Sequence, residues 1–217
     1  MIQNLNFLEC LIAQLNVLKY NKVTINDKST MLANLQSQLE IHNNVQFSSL
    51  EFENILKYLN TVTPKNRTRI LHQKYQIKRD SGELLMVRFL ETESWDLNCF
   101  QFSKIVIEEK KRSEVTLLIN GLPMIHIELR EPKLSLIDAF FQVNRYDHNF
   151  YDADFGLFQY VQIFVISNGR ETKYFFNTQH QSFQRTYNLF INDKIWDFTE
   201  LFVEFTKPIN MLRVIKN

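Results

Sequence analysis

Between Arg112 and Arg130 the chain reads RSEVTLLINGLPMIHIELR, two apolar runs divided by Asn120-Gly121. Asn-Gly between apolar runs is the strongest short-range signal for a β-hairpin, so this stretch demands two adjacent antiparallel strands and a sheet to hold them. On a strand, successive side chains point to opposite faces. Ile125, Ile127 and Leu129 therefore share one face, and His126, Glu128 and Arg130 fall on the other. In EVTLLI the continuous apolar set is Val115, Leu117 and Ile119, which leaves Glu114 in phase with Thr116. If both apolar sets lie on one face, Glu114 stands opposite or diagonal to Glu128. A two-residue Asn-Gly turn would put the carboxylates on opposite faces. The alternation thus predicts an odd loop of three residues, Asn120 to Leu122, with Gly121 or a neighbour in the left-handed bulge conformation.

Two carboxylates held close on a sheet repel, and each raises the other's pKa unless a cation lies between them. A divalent ion resolves the conflict, and oxygen-only ligation suits Mg²⁺. Arg130, on the face of Glu128, offers positive charge where a phosphoryl group would gather negative charge. The same spacing also fits a salt bridge from Arg130 to one Glu at the end of the sheet. His126 shares the polar face and reads as a hydrogen-bonded sheet histidine.

The rest of the chain supplies a fold around that hairpin. Its 217 residues, 45% hydrophobic, suffice for one large core. Leu5, Leu8, Leu11, Ile12 and Leu15 predict an amphipathic helix over about 4–19, and KVTI at 22–25 predicts a short strand. A cap at Ser29 or Thr30 opens a helix carrying Met31, Leu32, Leu35 and Leu39, and Ser48-x-x-Glu51 is a capping box before Phe52, Ile55, Leu56 and Leu59. The basic segment KNRTRILHQKYQIKR, Lys65 to Arg79, reads as a solvated helical face. Asp80-Ser81-Gly82 predicts a second hairpin, FQFSKIVIEE a strand, Ser135-x-x-Asp138 the cap of a helix through Tyr146, YVQIFVIS a central strand turned at Asn168-Gly169 into ETKYFFN, and Phe198 to Phe205 a last helix. The sum is an α/β (α+β) fold with a central mixed sheet flanked by helices, expected as one domain over 1–217. A net charge of +1 announces no global basic field. Only Cys10 and Cys99 occur, which fits packing thiols in a reducing cytoplasm, and no apolar run reaches membrane-spanning length.

The hairpin also carries a resemblance. RSEVTLLINGLPMIHIELR is similar to the catalytic segment R-x-D-[IV]-x-L-x-x-N-G-L-P-L-x-x-I-E-L-K of the R (restriction) subunit of type I restriction enzymes, which carries a PD-(D/E)-x-K nuclease site. Gln142-Val-Asn-Arg-Tyr146 resembles that family's Q-x-x-x-Y motif, FVISNG with Tyr174-Phe175 resembles the strand pair after it, and MLANLQSQL resembles a segment after its first helix. The resemblance implies an endonuclease domain that cleaves double-stranded DNA with Mg²⁺ or Mn²⁺ in restriction of foreign DNA. It assigns catalysis to Glu114, Glu128 and Arg130, and metal ligation to Glu114, Glu128 and the backbone carbonyl of Leu129. Gln142, Arg145 and Tyr146 become DNA contacts, consistent with residues four apart sharing a helix face. It implies partnership with modification and specificity subunits.

Two positions depart from the family pattern: the metal-binding Asp is Glu114 here, and the catalytic Lys is Arg130. Glu9 lies in the first helix one position from the family's acidic residue. These departures keep open a second expectation, a catalytically degenerate DNA-binding or subunit-docking module. The helicase-like motor of full R subunits needs a G-x-x-x-x-G-K-[ST] loop. None of Gly82, Gly121, Gly156 and Gly169 is followed by Lys, so no ATP site is expected in this chain.

Overall fold

A computed structural model describes residues 6–63, 65–107, 112–131, 133–149, 156–178 and 181–188. The helix expected at Phe198 to Phe205 lies outside them, as do the side chains of Arg145 and Tyr146.

The described helices are α1 (Asn6–Val17), α2 (Lys28–Asn43), α3 (Ser49–Leu59), α4 (Arg67–His72) and α5 (Leu136–Asn149). The strands are β1 (Asn21–Lys22), β2 (Tyr75–Lys78), β3 (Leu84–Val87), β4 (Phe100–Ile107), β5 (Arg112–Ile119), β6 (Leu122–Arg130), β7 (Ile163–Ser167), β8 (Thr172–Phe176) and β9 (Tyr187–Asn188). Seven strands form one mixed sheet in the order β1-β4-β5-β6-β7-β8-β9, and β2 pairs with β3 in a separate hairpin. β1 runs parallel to β4 and β6 parallel to β7, while the other neighbours in the large sheet are antiparallel. The parallel step from β6 to β7 needs a crossover, and α5 lies within it. The expected α/β architecture is the one observed.

The sheet sorts its two faces by residue parity. Val115, Leu117, Ile125, Ile127, Leu129, Ile163 and Val165 join Leu11 and Leu15 of α1, Met31, Leu35 and Leu39 of α2, and Ile55 and Leu59 of α3 in the larger core. The opposite face carries Phe164, Ile166 and Phe175, which pack with Leu136, Ala139, Phe140 and Val143 of α5 in a second, smaller core. Burying one such side chain contributes about 1.5–3 kcal/mol. β7 is buried along its whole length, as its apolar run on both faces requires.

Local chemistry sets the helix starts. At α3 the Ser48 side chain accepts from the Glu51 N–H while the Glu51 carboxylate accepts from the Ser48 N–H, the expected capping box. At α2 the cap is Asp27, not Ser29 or Thr30: its carboxylate accepts from the Thr30 N–H at 2.8 Å, and Thr30 takes the reciprocal place in the box. An Asp with extended backbone directly before the helix outcompetes hydroxyls two and three residues later, because its charge also faces the helix's positive end. The strand expected over 22–25 is shorter, β1 ending at Lys22 with one further backbone bond from Val23 to Phe102.

The basic segment is not one solvated helical face. It divides into α4 and β2. Arg67 is buried at 6% exposure and donates from one terminal nitrogen to the carbonyls of Val161 and Asn177, both at 3.1 Å. It ties α4 to the chain entering β7 and leaving β8. Arg79 pairs with the buried Glu51 at 3.0 Å. Charge counting along the sequence could not see either partner.

Candidate metal-binding face of the sheet

The hairpin that carries the candidate site differs from expectation in its loop and agrees in its outcome. Asn120 and Gly121 alone connect β5 to β6, with φ of 49° and 82°, the pattern of a primed two-residue turn. Gly121 is required there: a Cβ on it would stand 2.7 Å from the Cα of Leu35. Asn120 accepts the left-handed conformation because its side chain is fully engaged. Its amide donates to the Phe89 carbonyl and to Asn98 Oδ1, and its Oδ1 accepts from the Cys99 N–H. A two-residue turn alone would have sent Glu114 and Glu128 to opposite faces. Parity is restored one step further on, because Leu118 pairs with Pro123 and Leu117 with Ile125, leaving Met124 as the extra residue of a β-bulge. Pro123 has no N–H to offer the ladder, which favours an irregularity beside it. The bulge is then secured, since the Met124 carbonyl accepts from the Gln162 N–H at 2.8 Å and the Met124 side chain is wholly buried.

Beyond the bulge the register pairs Glu114 directly with Glu128, and Thr116 with His126. Directly opposed residues on an antiparallel pair have Cβ atoms about 4.5–5.5 Å apart and share a face. One ligand atom each from Glu114, His126 and Glu128 lies within 4.8 Å of the other two. The trio is therefore a donor set of two carboxylates and an imidazole that could hold a metal ion.

The surroundings of this trio are largely dry. Glu128 has 0% exposure and His126 has 2%, while Glu114 is half-buried. His126 Nδ1 lies 3.0 Å from the Thr116 hydroxyl, as a hydrogen-bonded sheet histidine should, and its ring meets Phe158 and Phe164 edge-on. The sequence placed His126 on the polar face but gave no reason to group it with the glutamates, since the grouping needs the register.

Arg130 closes the other side. Its Nε stands 2.9 Å from Glu128 Oε1, at ion-pair distance without the alignment of a hydrogen bond, and a terminal nitrogen donates to the Gln142 side-chain oxygen. Glu128, Arg130 and Gln142 thus form a chain from strand β6 to helix α5. A carboxylate at full burial without a countercharge would cost several kcal/mol, so this arginine suits the site when no other cation is present. Leu129 sends its side chain into the larger core, at 5% exposure, and can serve the polar face only through its backbone. Arg145 and Tyr146 belong to α5, and their side chains lie outside the described residues. Glu9 is exposed on α1 and is not in the trio.

Comparison with known proteins agrees with the hairpin's motif. The sequence profile of the family described as "Type I restriction enzyme R protein N terminus" matches residues 9–183. The chain is 37% identical over 177 residues to the "Type I restriction enzyme SauCOLORF180P endonuclease subunit" of Staphylococcus aureus strain COL, a match covering 77% of this chain and 19% of that protein. It is 34% identical over 211 residues to the SsaAORF53P endonuclease subunit of Staphylococcus saprophyticus, covering 90% and 22%. Against the EcoprrI endonuclease subunit of Escherichia coli it is 32% identical over 208 residues, covering 87% and 66%. The chain spans about a fifth of the length of the staphylococcal relatives. Among the described residues, no helix is long and apolar enough to cross a membrane.

Proposed function

Because the chain belongs to the family of type I restriction enzyme R-protein N termini, we propose that it is the endonuclease domain of such an enzyme, cutting double-stranded DNA with a divalent ion at the Glu114–Glu128 pair. The observation that carries this reading is the direct pairing of two carboxylates on one sheet face, with Arg130 beside them. Opposed carboxylates on a largely buried face are costly unless a cation sits between them, and their oxygen donors fit Mg²⁺ or Mn²⁺.

Glu114, Glu128 and the Leu129 carbonyl would hold the ion, which when bound would supply Lewis-acid stabilisation and an activated water. The remaining roles belong to side chains. Arg130 would place fixed positive charge against the scissile phosphate, where charge develops during displacement. With a pKa above about 12 it cannot take a proton from water, so it orients and stabilises but does not act as a base. Gln142, already linked to Arg130, would couple helix α5 to the phosphate's position. Arg145 and Tyr146 would extend that contact along the DNA backbone. The partners of this reading are double-stranded DNA and the modification and specificity subunits of a cytoplasmic restriction complex, with sequence recognition residing outside this chain.

A second reading has its own observation. The Arg130–Glu128 ion pair occupies the carboxylate that a metal would need, and a guanidinium is apt for such pairing. In that reading the domain is a degenerate nuclease fold kept for DNA binding or subunit docking. Nicking of supercoiled plasmid with and without Mg²⁺ or Mn²⁺, using Glu128→Ala as the blank, separates the two. Metal-dependent nicking abolished by Glu128→Ala establishes the nuclease. DNA or subunit binding unaffected by metal, with no nicking in either protein, establishes the docking module.

A further inference from the structure

We infer that His126 is a third protein ligand of the ion, making the site an N,O-donor set that prefers first-row transition ions to Mg²⁺. This rests on the metal-dependent reading above and adds to it a ligand and a selectivity. A ring nitrogen of His126 lies within 4.8 Å of carboxylate oxygens from both Glu114 and Glu128. Adjacent ligands of an ion with bonds of about 2.1 Å stand about 3 Å apart, so the glutamate carboxylates would move toward the ring on binding.

The imidazole is also prepared for such a role. With Nδ1 3.0 Å from the Thr116 hydroxyl, the tautomer that donates from Nδ1–H would carry its lone pair on Nε2, the arrangement by which metal-bound histidines are oriented through their other nitrogen. Thr116 stands directly opposite His126 in the register, so the same β5–β6 pairing that opposes the glutamates also holds the hydroxyl against the ring. Phe158 and Phe164 meet the ring edge-on and restrict its rotation. Mg²⁺ favours oxygen and keeps its waters, whereas imidazole favours transition ions in the order that rises from Mn²⁺ through Co²⁺ to Ni²⁺. Replacing one of Mg²⁺'s usual waters with a buried nitrogen therefore tilts the site away from Mg²⁺.

The test uses the 217-residue chain with three ions, Mn²⁺, Co²⁺ and Mg²⁺. Pulsed electron paramagnetic resonance on the wild-type Mn²⁺ complex should show a directly coordinated nitrogen, a result that needs no variant. By calorimetric titration, His126→Gln should weaken Co²⁺ binding by about tenfold or more, the scale of a disturbed ligand sphere, and leave Mg²⁺ binding within about twofold. A histidine serving only the sheet would move both ions together. Mn²⁺ binding that Glu128→Ala removes, with no nitrogen coupling in the wild type, overturns the His126 ligand and leaves the metal-dependent reading standing. Absence of binding by all three ions overturns both.

Discussion

Arg130 Nε lies 2.9 Å from Glu128 Oε1 while its terminal nitrogen reaches Gln142 on α5, so one guanidinium neutralises the most buried carboxylate of the sheet and anchors it to the covering helix. Under the proposed metal-dependent reading, this contact would compete with the ion for the Glu128 carboxylate. Arg130 is only 10% exposed, so solvent does little to screen it.

Exchange of this arginine should therefore raise metal affinity. Arg130→Lys keeps the charge but gives up the planar fork, and a compact ammonium leaves more of the Glu128 carboxylate accessible. Calorimetric titration with Mn²⁺ should show binding at least about tenfold tighter than wild type. Equal affinities would show that the ion pair does not hold Glu128 back.

Glu114→Asp should act on the same ion from the other strand. The shorter side chain retracts the carboxylate by one methylene, and an ångström of misplacement can cost about 10²-fold in rate. Since both changes bear on one position, plasmid nicking by the Glu114→Asp, Arg130→Lys double variant should exceed the product of the two single gains by at least about twofold, equivalent to the ~0.5 kcal/mol at the low end of coupling between neighbours. Simple multiplicativity would argue that the residues act on separate steps.

Gly121→Ala should destabilise the fold, because φ of 82° is strained for alanine and the new Cβ would meet Leu35 backbone at 2.7 Å. Strain of this kind costs about 1–3 kcal/mol, and the contact with α2 adds to it. Urea denaturation should show the loss in the midpoint with little change in slope. A variant as stable as wild type would mean that α2 can withdraw from the turn.

Glu51 gives the fold an acid-sensitive contact. Its hydrogen bond with Arg79 holds its carboxyl below the ordinary value of 4.5, helped by the N–H groups of Ser48 and Asp80. A depressed folded-state pKa contributes stability above about pH 4.5, and that contribution is lost as pH falls through the folded value. Denaturation midpoints at pH 7 and pH 3.5 should converge more for Glu51→Gln than for wild type. Identical pH slopes in both proteins would remove Glu51 as a source of acid lability.

Local pattern and tertiary context divided the determination of this protein between them. The alternation in EVTLLI and MIHIELR sufficed to put Glu114, His126, Glu128 and Arg130 on one face, because side-chain direction on a strand depends only on parity. Asn120-Gly121 marked where the hairpin turns, though not the length of its loop, and Ser48-x-x-Glu51 sufficed for the start of α3, since its capping box is satisfied by atoms within a few residues. The means by which parity survived a two-residue turn was not legible. It depended on Met124 bulging beside Pro123 and on Gln162, distant in sequence, capturing the freed carbonyl. Tertiary structure alone also decided which polar groups meet. Arg67 found the carbonyls of Val161 and Asn177, Arg130 found Gln142, and His126 came within ligand distance of two glutamates. Such partners lie across strands and crossovers, where a hydrogen bond or ion pair is satisfied by position in space, and short-range spacing carries no record of it.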